Sequence, residues 1–252
     1  MLFYGKTDVG RRRHENQDDF VIKTYPEGTV LAVVCDGMGG ANGGKIASGI
    51  ASCAFVSAVD EAQPDGGELF SMTGDEITAL LESAVREANL AVYDRTGEDP
   101  SLTGMGTTLV GGVIRGCELY AVNVGDSRLY TVRADGGIEQ LSHDHSYVQY
   151  LVDLGKMTEE EARTSSRKNI ITRAVGTERN VEVDSFYAEL CLGDSIVICS
   201  DGLSNLVEDS EIAEIVSSAA KDAELQSACE KLIALANERG GVDNITALVL
   251  SV

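Results

Sequence analysis

The sequence predicts an α+β fold of stacked antiparallel sheets flanked by helices, and three observations predict it. Apolar runs of strand length crowd the middle of the chain. Helical periodicity is segregated before and after them. The middle runs are separated by turns too short for a crossover helix. A doubly wound parallel sheet would alternate strand and helix throughout, and this chain does not.

Taken in order, Leu2-Phe3-Tyr4 opens as a strand-like stretch. Residues 30–35, 108–114, 119–124, 196–199 and 245–250 are continuous apolar runs, short and rich in β-branched side chains, and several are bounded by Gly or Asp. Ile46, Ile50, Cys53 and Val56 recur at steps of three and four, as do Ile77, Leu81, Ala84 and Ala88, and Leu225, Cys229, Leu232 and Leu235. Asp209 and Asp222 stand where the last two helices need N-caps. Arg115-Gly116 and Gly125-Asp126 read as tight turns between antiparallel neighbours. Residues 60–75 and 96–106, polar and Gly-containing, read as surface loops. Residues 146–177 form a polar insertion with a short helix opening at Thr158-Glu159-Glu160-Glu161, placed to be a mobile flap beside a site. No repeat or linker interrupts the pattern, so residues 1–252 are expected to form one domain.

Hydrophobic residues at 43% and charged residues at 24% describe an ordinary globular chain. Twenty Lys and Arg against 41 Asp and Glu give a net charge of −21, which argues against binding nucleic acid or anionic lipid. No apolar run approaches the roughly 20 residues of a spanning helix, and the first residues carry no charged flank or cleavable apolar segment. A cytoplasmic protein is expected. The six cysteines (35, 53, 117, 191, 199 and 229) form no C-x-x-C pair and read as small buried hydrophobes. His14, His143 and His145 are too few and scattered for a His-rich metal site. Any metal chemistry must therefore use carboxylates.

Most acids are solvated surface, but four are placed differently. Asp36 follows Val33-Val34-Cys35 and precedes Gly37-Met38-Gly39-Gly40. Asp126 follows Val122-Asn123-Val124-Gly125, Asp201 follows Ile198-Cys199-Ser200, and Asp243 precedes Asn244 and the last apolar run. Three thus end apolar strands and one begins a strand, so antiparallel pairing can gather all four at one sheet edge. A carboxylate there is costly without a positive partner, and no Lys or Arg lies within two residues of Asp36, Asp201 or Asp243. Oxygen-only ligation of a hard divalent ion, magnesium or manganese, meets that need. Each Asp-Gly alone is equally an ordinary turn. The run Arg11-Arg12-Arg13 adds the missing cation: it reads as a solvated basic turn, as a pairing with Asp18 and Asp19, or as a guanidinium fork holding a phosphate beside the metals.

Six motifs in order now resemble a known family. They are Thr7-Asp8-Val9-Gly10 followed by Arg13 and Asn16-Gln17-Asp18; Asp36-Gly37-Met38-Gly39-Gly40; Met105-Gly106-Thr107-Thr108; Val124-Gly125-Asp126-Ser127-Arg128; Cys199-Ser200-Asp201-Gly202-Leu203; and Gly241-Val242-Asp243-Asn244. The chain resembles, over essentially its whole length, the compact bacterial members of the metal-dependent protein serine/threonine phosphatases (PPM family, type 2C). The resemblance implies a four-layer α-β-β-α sandwich, two antiparallel sheets flanked by helix pairs, with metals at one end. It implies that Asp36 bridges two Mn2+ or Mg2+ ions, that Asp201 and Asp243 complete the first site, and that the Gly37 carbonyl holds the second ion with Asp18 reached through water. Asp126, with Asp201, matches the position of a third ion. Arg13 matches the phosphate-binding arginine, whereas Arg11 and Arg12 match no fixed role.

The implied reaction is hydrolysis of phosphoserine and phosphothreonine monoesters by direct attack of a metal-bridging water or hydroxide, with no phosphoenzyme. Implied partners are phosphorylated proteins, among them a bacterial serine/threonine kinase and its substrates, with the enzyme itself a monomer in bacterial signalling. Two departures stand out. Ala41 occupies the place where many relatives carry a histidine proposed to protonate the leaving oxygen, and Thr164-Ser165-Ser166 replaces a His-Pro pair in the flap. A phosphatase for an anti-sigma-factor partner is an alternative, though no sensor domain is visible. A phosphoprotein-binding pseudophosphatase is another, favoured by Ala41 and opposed by intact Asp36, Asp201 and Asp243. Nucleotide or nucleic-acid hydrolysis is opposed by the negative charge and by aromatic content of 5%.

Overall fold

The computed structural model describes residues 1–63 and 68–252, the side chains of 41, 42 and 68 excepted. Its strands are β1 (Leu2–Asp8), β2 (Asp18–Thr24), β3 (Val30–Met38), β4 (Gly106–Thr107), β5 (Leu109–Arg115), β6 (Glu118–Val124), β7 (Arg128–Val132), β8 (Ile138–Gln140), β9 (Asp184–Glu189), β10 (Ser195–Cys199) and β11 (Ile245–Ser251). Its helices are α1 (Gly40–Glu61), α2 (Glu68–Ser71), α3 (Gly74–Glu98), α4 (Tyr147–Asp153), α5 (Glu159–Thr164), α6 (Asp201–Ser204), α7 (Asp209–Lys221) and α8 (Leu225–Glu238). One sheet runs β1-β11-β10-β7-β8 and the other β2-β3-β5-β6-β9, with β4 added to β3; every pairing is antiparallel.

The continuous apolar runs are explained by burial on both faces. Along β3, Leu31, Val33 and Cys35 pack with Phe55 of α1 and with Ile77, Leu81 and Ala84 of α3. Val30, Ala32 and Val34 point the other way and meet Ile196, Ile198, Leu248 and Leu250 of the opposite sheet. The second sheet mirrors this. Val197, Cys199, Ala247 and Val249 face Ile212 and Val216 of α7 and Cys229 and Leu232 of α8. The result is helices, sheet, sheet, helices: the expected four-layer α-β-β-α sandwich.

Several local expectations are corrected. The Arg115-Gly116 turn joins hairpin partners β5 and β6, but the Gly125-Asp126 turn carries the chain from β6 in one sheet to β7 in the other. A tight turn fixes an antiparallel sense without fixing whether the next strand stays in the same layer. Asp209 is the first residue of α7, with Glu208 at its cap, where Glu208 N donates to Glu211 Oε2 at 3.1 Å. Asp222 closes α7 and Glu224 precedes α8. Acidic side chains are favoured through the whole first turn, so their presence does not fix the cap to the residue.

The stretch 60–75 holds the end of α1, then α2 and the start of α3, its part at 64–67 lying outside the described residues. In 96–106 the chain finishes α3, makes a 3-10 turn at Pro100–Leu102 and buries Leu102 and Met105. Cys35, Cys199 and Cys229 are buried, whereas Cys53, Cys117 and Cys191 are exposed, on a helix or next to turns; all six are free. Within 146–177 the expected helix is α5, capped by Thr158, whose side chain accepts from Glu161 N at 3.2 Å. A second short helix, α4, precedes it. Among the described residues no helix is long and apolar enough to cross a membrane.

Candidate metal and phosphate site

The acids singled out in the sequence meet at one end of the sandwich. Asp36 lies inside β3 rather than at its end, directly opposite Asp18 of β2. Its backbone is fixed by the Thr107-Thr108 pair: Thr108 Oγ1 accepts from Asp36 N (2.9 Å), while Thr108 N and Thr107 Oγ1 donate to Asp36 O (2.9 Å each). Asp201 opens α6 immediately after β10, where Asn205 Nδ2 donates to its Oδ2 at 2.9 Å. Asp243 stands two residues before β11. Asp126 sits in the crossing between the sheets. These four, with Arg13, Gln17, Gly37, Asn169 and Ile171, line a cleft of about 240 Å3.

Arg13 reaches this cleft on a loop held by Asn244, whose Oδ1 accepts from Gln17 N (2.9 Å) and whose Nδ2 donates to Val9 O (3.0 Å) and Glu15 O (2.9 Å). The loop so held brings Arg13 Nη2 to 2.8 Å from Asp243 Oδ2. Arg13 therefore supplies in space the cation that the local sequence around Asp243 lacks. Asp18 and Asp19 are not arginine partners. Asp18 Oδ2 accepts from Ser200 Oγ (2.8 Å) and Thr246 Oγ1 (2.6 Å), and Asp19 accepts from Ser52 Oγ.

The electrostatics are those of a charge deficit. Burial, then Asp18, Asp201, Asp126 and Asp243, hold the Asp36 carboxyl well above the usual range. Burial and Asp201 do the same to Asp126. Burial raises Asp18 to about 7 against its two hydroxyl donors, and burial with Asp243 raises Asp201 to about 6.

Among the described residues, the buried oxygens Asp18 Oδ1 and Asp126 Oδ1 of these acids have no hydrogen-bond partner. Orphaned acceptors and mutually repelling carboxylates fit an oxygen-donor cation site. Among the described residues no three ligating side chains form a closed coordination group; the acids instead ring an open cleft. Hard ions that keep part of their water shell suit such an arrangement.

Gly37 is required by close approach: a Cβ there would lie 2.1 Å from Gly44 O and 2.6 Å from Gln17 O. Cys35 and Cys199 stay thiols, since burial pushes the first well above its ordinary value and the second up to about 12. Sequence reasoning missed Ser200, Thr246 and Asn244 as supports, although Ser200 and Asn244 adjoin singled-out acids. It also missed Lys168, whose charge acts on Asp201 and which lines a neighbouring cavity of about 260 Å3 with Asp126 and Asp201. Nothing local marks that lysine. The side chain of Ala41 lies outside the described residues.

A model of the family described as "Protein phosphatase 2C" matches residues 10–237. The chain is 36% identical over 245 residues to the serine/threonine phosphatase stp of Listeria innocua, covering 97% of this chain and 93% of that one. It superposes on the S. agalactiae serine/threonine phosphatase with a TM-score of 0.86, at 36% identity over 99% of each chain. It also superposes on the catalytic domain of the phosphatase PstP in complex with two manganese ions, with a TM-score of 0.80 at 34% identity, covering 98% of this chain and 96% of that one.

Proposed function

The chain belongs to the protein phosphatase 2C family and is a metal-dependent serine/threonine phosphatase, and we propose that it works through the carboxylate cleft. Two divalent ions would be held there: Asp36 would serve both, Asp201 and Asp243 one of them, and the Gly37 carbonyl with a water-linked Asp18 the other. Asp126, with Asp201, offers a place for a third. The observation that carries this reading is the convergence of Asp36, Asp126, Asp201, Asp243 and Arg13 on one cleft from five separate parts of the chain. Bound ions supply a nucleophile at neutral pH and cancel the charge of the phosphate dianion.

The chain's own groups do the rest. Arg13, half exposed at the rim, presents its fork to phosphate oxygens. Thr107 and Thr108 fix Asp36, while Ser200 and Thr246 fix Asp18. Oxygen-only donors accept Mn2+ and Mg2+ alike, and the two manganese ions in PstP support Mn2+ as the first to test.

Residues 1–252 act as one catalytic unit, with 146–177 as a flap; Asn169 and Ile171 lining the cleft support that role. Substrates are phosphorylated proteins, including a bacterial serine/threonine kinase and its targets, met by a monomer in the cytoplasm. The charge of −21 supports soluble protein partners over nucleic acid or anionic lipid. The test is hydrolysis of a phosphothreonine peptide and of a nucleotide, each titrated with Mn2+ and Mg2+. Metal-dependent release from the peptide, stopped by chelator, is expected. Chelator-insensitive release, or faster release from the nucleotide, contradicts the proposal.

A further inference from the structure

His145 is the buried junction of three chain segments. Its backbone N donates to Gly125 O at 2.9 Å and its Nδ1 accepts from Gly125 N at 3.0 Å. Its backbone O accepts from Thr172 N at 2.8 Å, and the neighbouring Ser146 bridges to Ile171. Its Nε2 lies 3.1 Å from Asp184 Oδ2 of β9 and 2.8 Å from Arg173 Nη1. With Nδ1 accepting, the neutral ring carries its proton on Nε2, which donates to Asp184 Oδ2; Arg173 Nη1, a donor only, is then held by Asp184 Oδ1 rather than by the ring.

Gly125 has little else to hold it. Its carbonyl takes one further bond, from Asn123 Nδ2 at 3.3 Å, and its φ of +116° is a conformation glycine adopts readily. The next residue is Asp126, the carboxylate that lines both the cleft and the neighbouring cavity and keeps an orphaned buried oxygen. The segments on the other side of the junction are the two ends of the flap, and Asn169 and Ile171 on its return line the cleft.

We infer that His145 is a positioning residue: its Nδ1 acceptor fixes the Gly125-Asp126 turn, and its backbone ties that turn to both ends of the flap, so that flap seating and Asp126 orientation are set together. This rests on the proposed role of Asp126 at the cleft.

Asparagine and glutamine separate the two ring nitrogens. His145→Asn can keep an acceptor at the Nδ1 position. His145→Gln reaches only toward Asp184 and leaves the buried Gly125 N–H unpaired. His145→Gln is expected to lower kcat and raise the Mn2+ concentration for half-activation by about tenfold or more, the scale of losing an outer-shell partner. KM for the phosphopeptide should change less, and His145→Asn should restore most of the loss. In an Asp126→Asn background the Gln substitution should add little, because its effect runs through Asp126.

Folded His145→Gln with kcat and half-activation within about twofold of the parent overturns the inference, as do equal losses in both variants or losses that multiply on Asp126→Asn. If His145→Gln does not fold, His145→Asn decides: near-parental metal dependence supports the inference and a tenfold loss overturns it. Asp126→Asn alone reports on the proposed function separately, since parental behaviour there removes Asp126 from the site whatever His145 does.

Discussion

Arg13 and Asp243 are 230 residues apart in sequence and form an ion pair at 2.8 Å across the mouth of the cleft. If Asp243 holds a divalent ion as proposed, its carboxylate would be shared with that ion and the Arg13 guanidinium would be free to turn toward an incoming phosphate. Arg13→Ala should chiefly raise KM for a phosphothreonine peptide by about tenfold or more, since a charge-assisted hydrogen bond contributes about 1.5–3 kcal/mol. Lysine should not restore it, lacking the planar fork. Unchanged KM and kcat in Arg13→Ala would return the residue to the surface.

Asp36 is partly buried among four other carboxylates, and its charge is a liability until a cation meets it. Asp36→Asn should cut turnover by more than about a hundredfold, beyond the loss of an outer-shell metal partner. In chelator it should melt no lower than the parent. Wild-type turnover in the folded variant would remove Asp36 from between the ions.

Asp18, raised to about 7, gives the ion-free protein a definite pH dependence. Above the ordinary carboxylate value of 3.8 the unfolded chain has released this proton while the folded chain keeps it. Stability is therefore lost as pH rises through the window up to about 7. His145, lowered by burial, pulls the opposite way below its ordinary value of 6.5, so the clean interval lies above that. In chelator, Tm should fall between about pH 6.5 and about pH 8, as Asp18 loses its proton together with Asp36 and Asp126, which are also held above the ordinary range, and Asp18→Asn should lessen the slope near pH 7. Added Mn2+ should replace the proton and reverse the trend. A chelated Tm that rises over that interval contradicts the assignment.

Gly37→Ala places a methyl group against two backbone carbonyls that no rotamer can move. It should destabilise the fold by about 1–3 kcal/mol, the range for overpacking, read as a lower denaturant midpoint. Activity should fall with it, because the same shift displaces the Gly37 carbonyl. A variant matching the parent in both would show that Gly44 and Gln17 yield freely.

How much was legible in the sequence depended on burial. β3, β5, β10 and β11 are apolar on both faces and announced themselves. By contrast, β9 alternates exposed and covered positions at a sheet edge, and β8 is three residues long; neither carries a run to read. The cleft carboxylates were legible because four acids set against apolar strands, though each alone could be an ordinary turn, together leave a charge without a neighbouring partner. Their supports were not: Ser200 and Thr246 are unremarkable until folding brings both to Asp18. The Asp126 turn was misplaced because residue types there specify a reversal of direction and carry no record of which layer follows. Cys117 and Cys191 looked like core residues beside apolar runs, yet each lies just beyond a strand end, where the chain surfaces.

The most direct measurement is anomalous diffraction at the manganese edge from crystals of active protein grown with Mn2+. Two peaks about 3.5–4 Å apart are expected, both within about 2.6 Å of Asp36 oxygens and one of them also within reach of Asp201 and Asp243. Manganese bound elsewhere in an active crystal, with Asp36 touching no ion, would contradict the carboxylate cleft as the seat of catalysis.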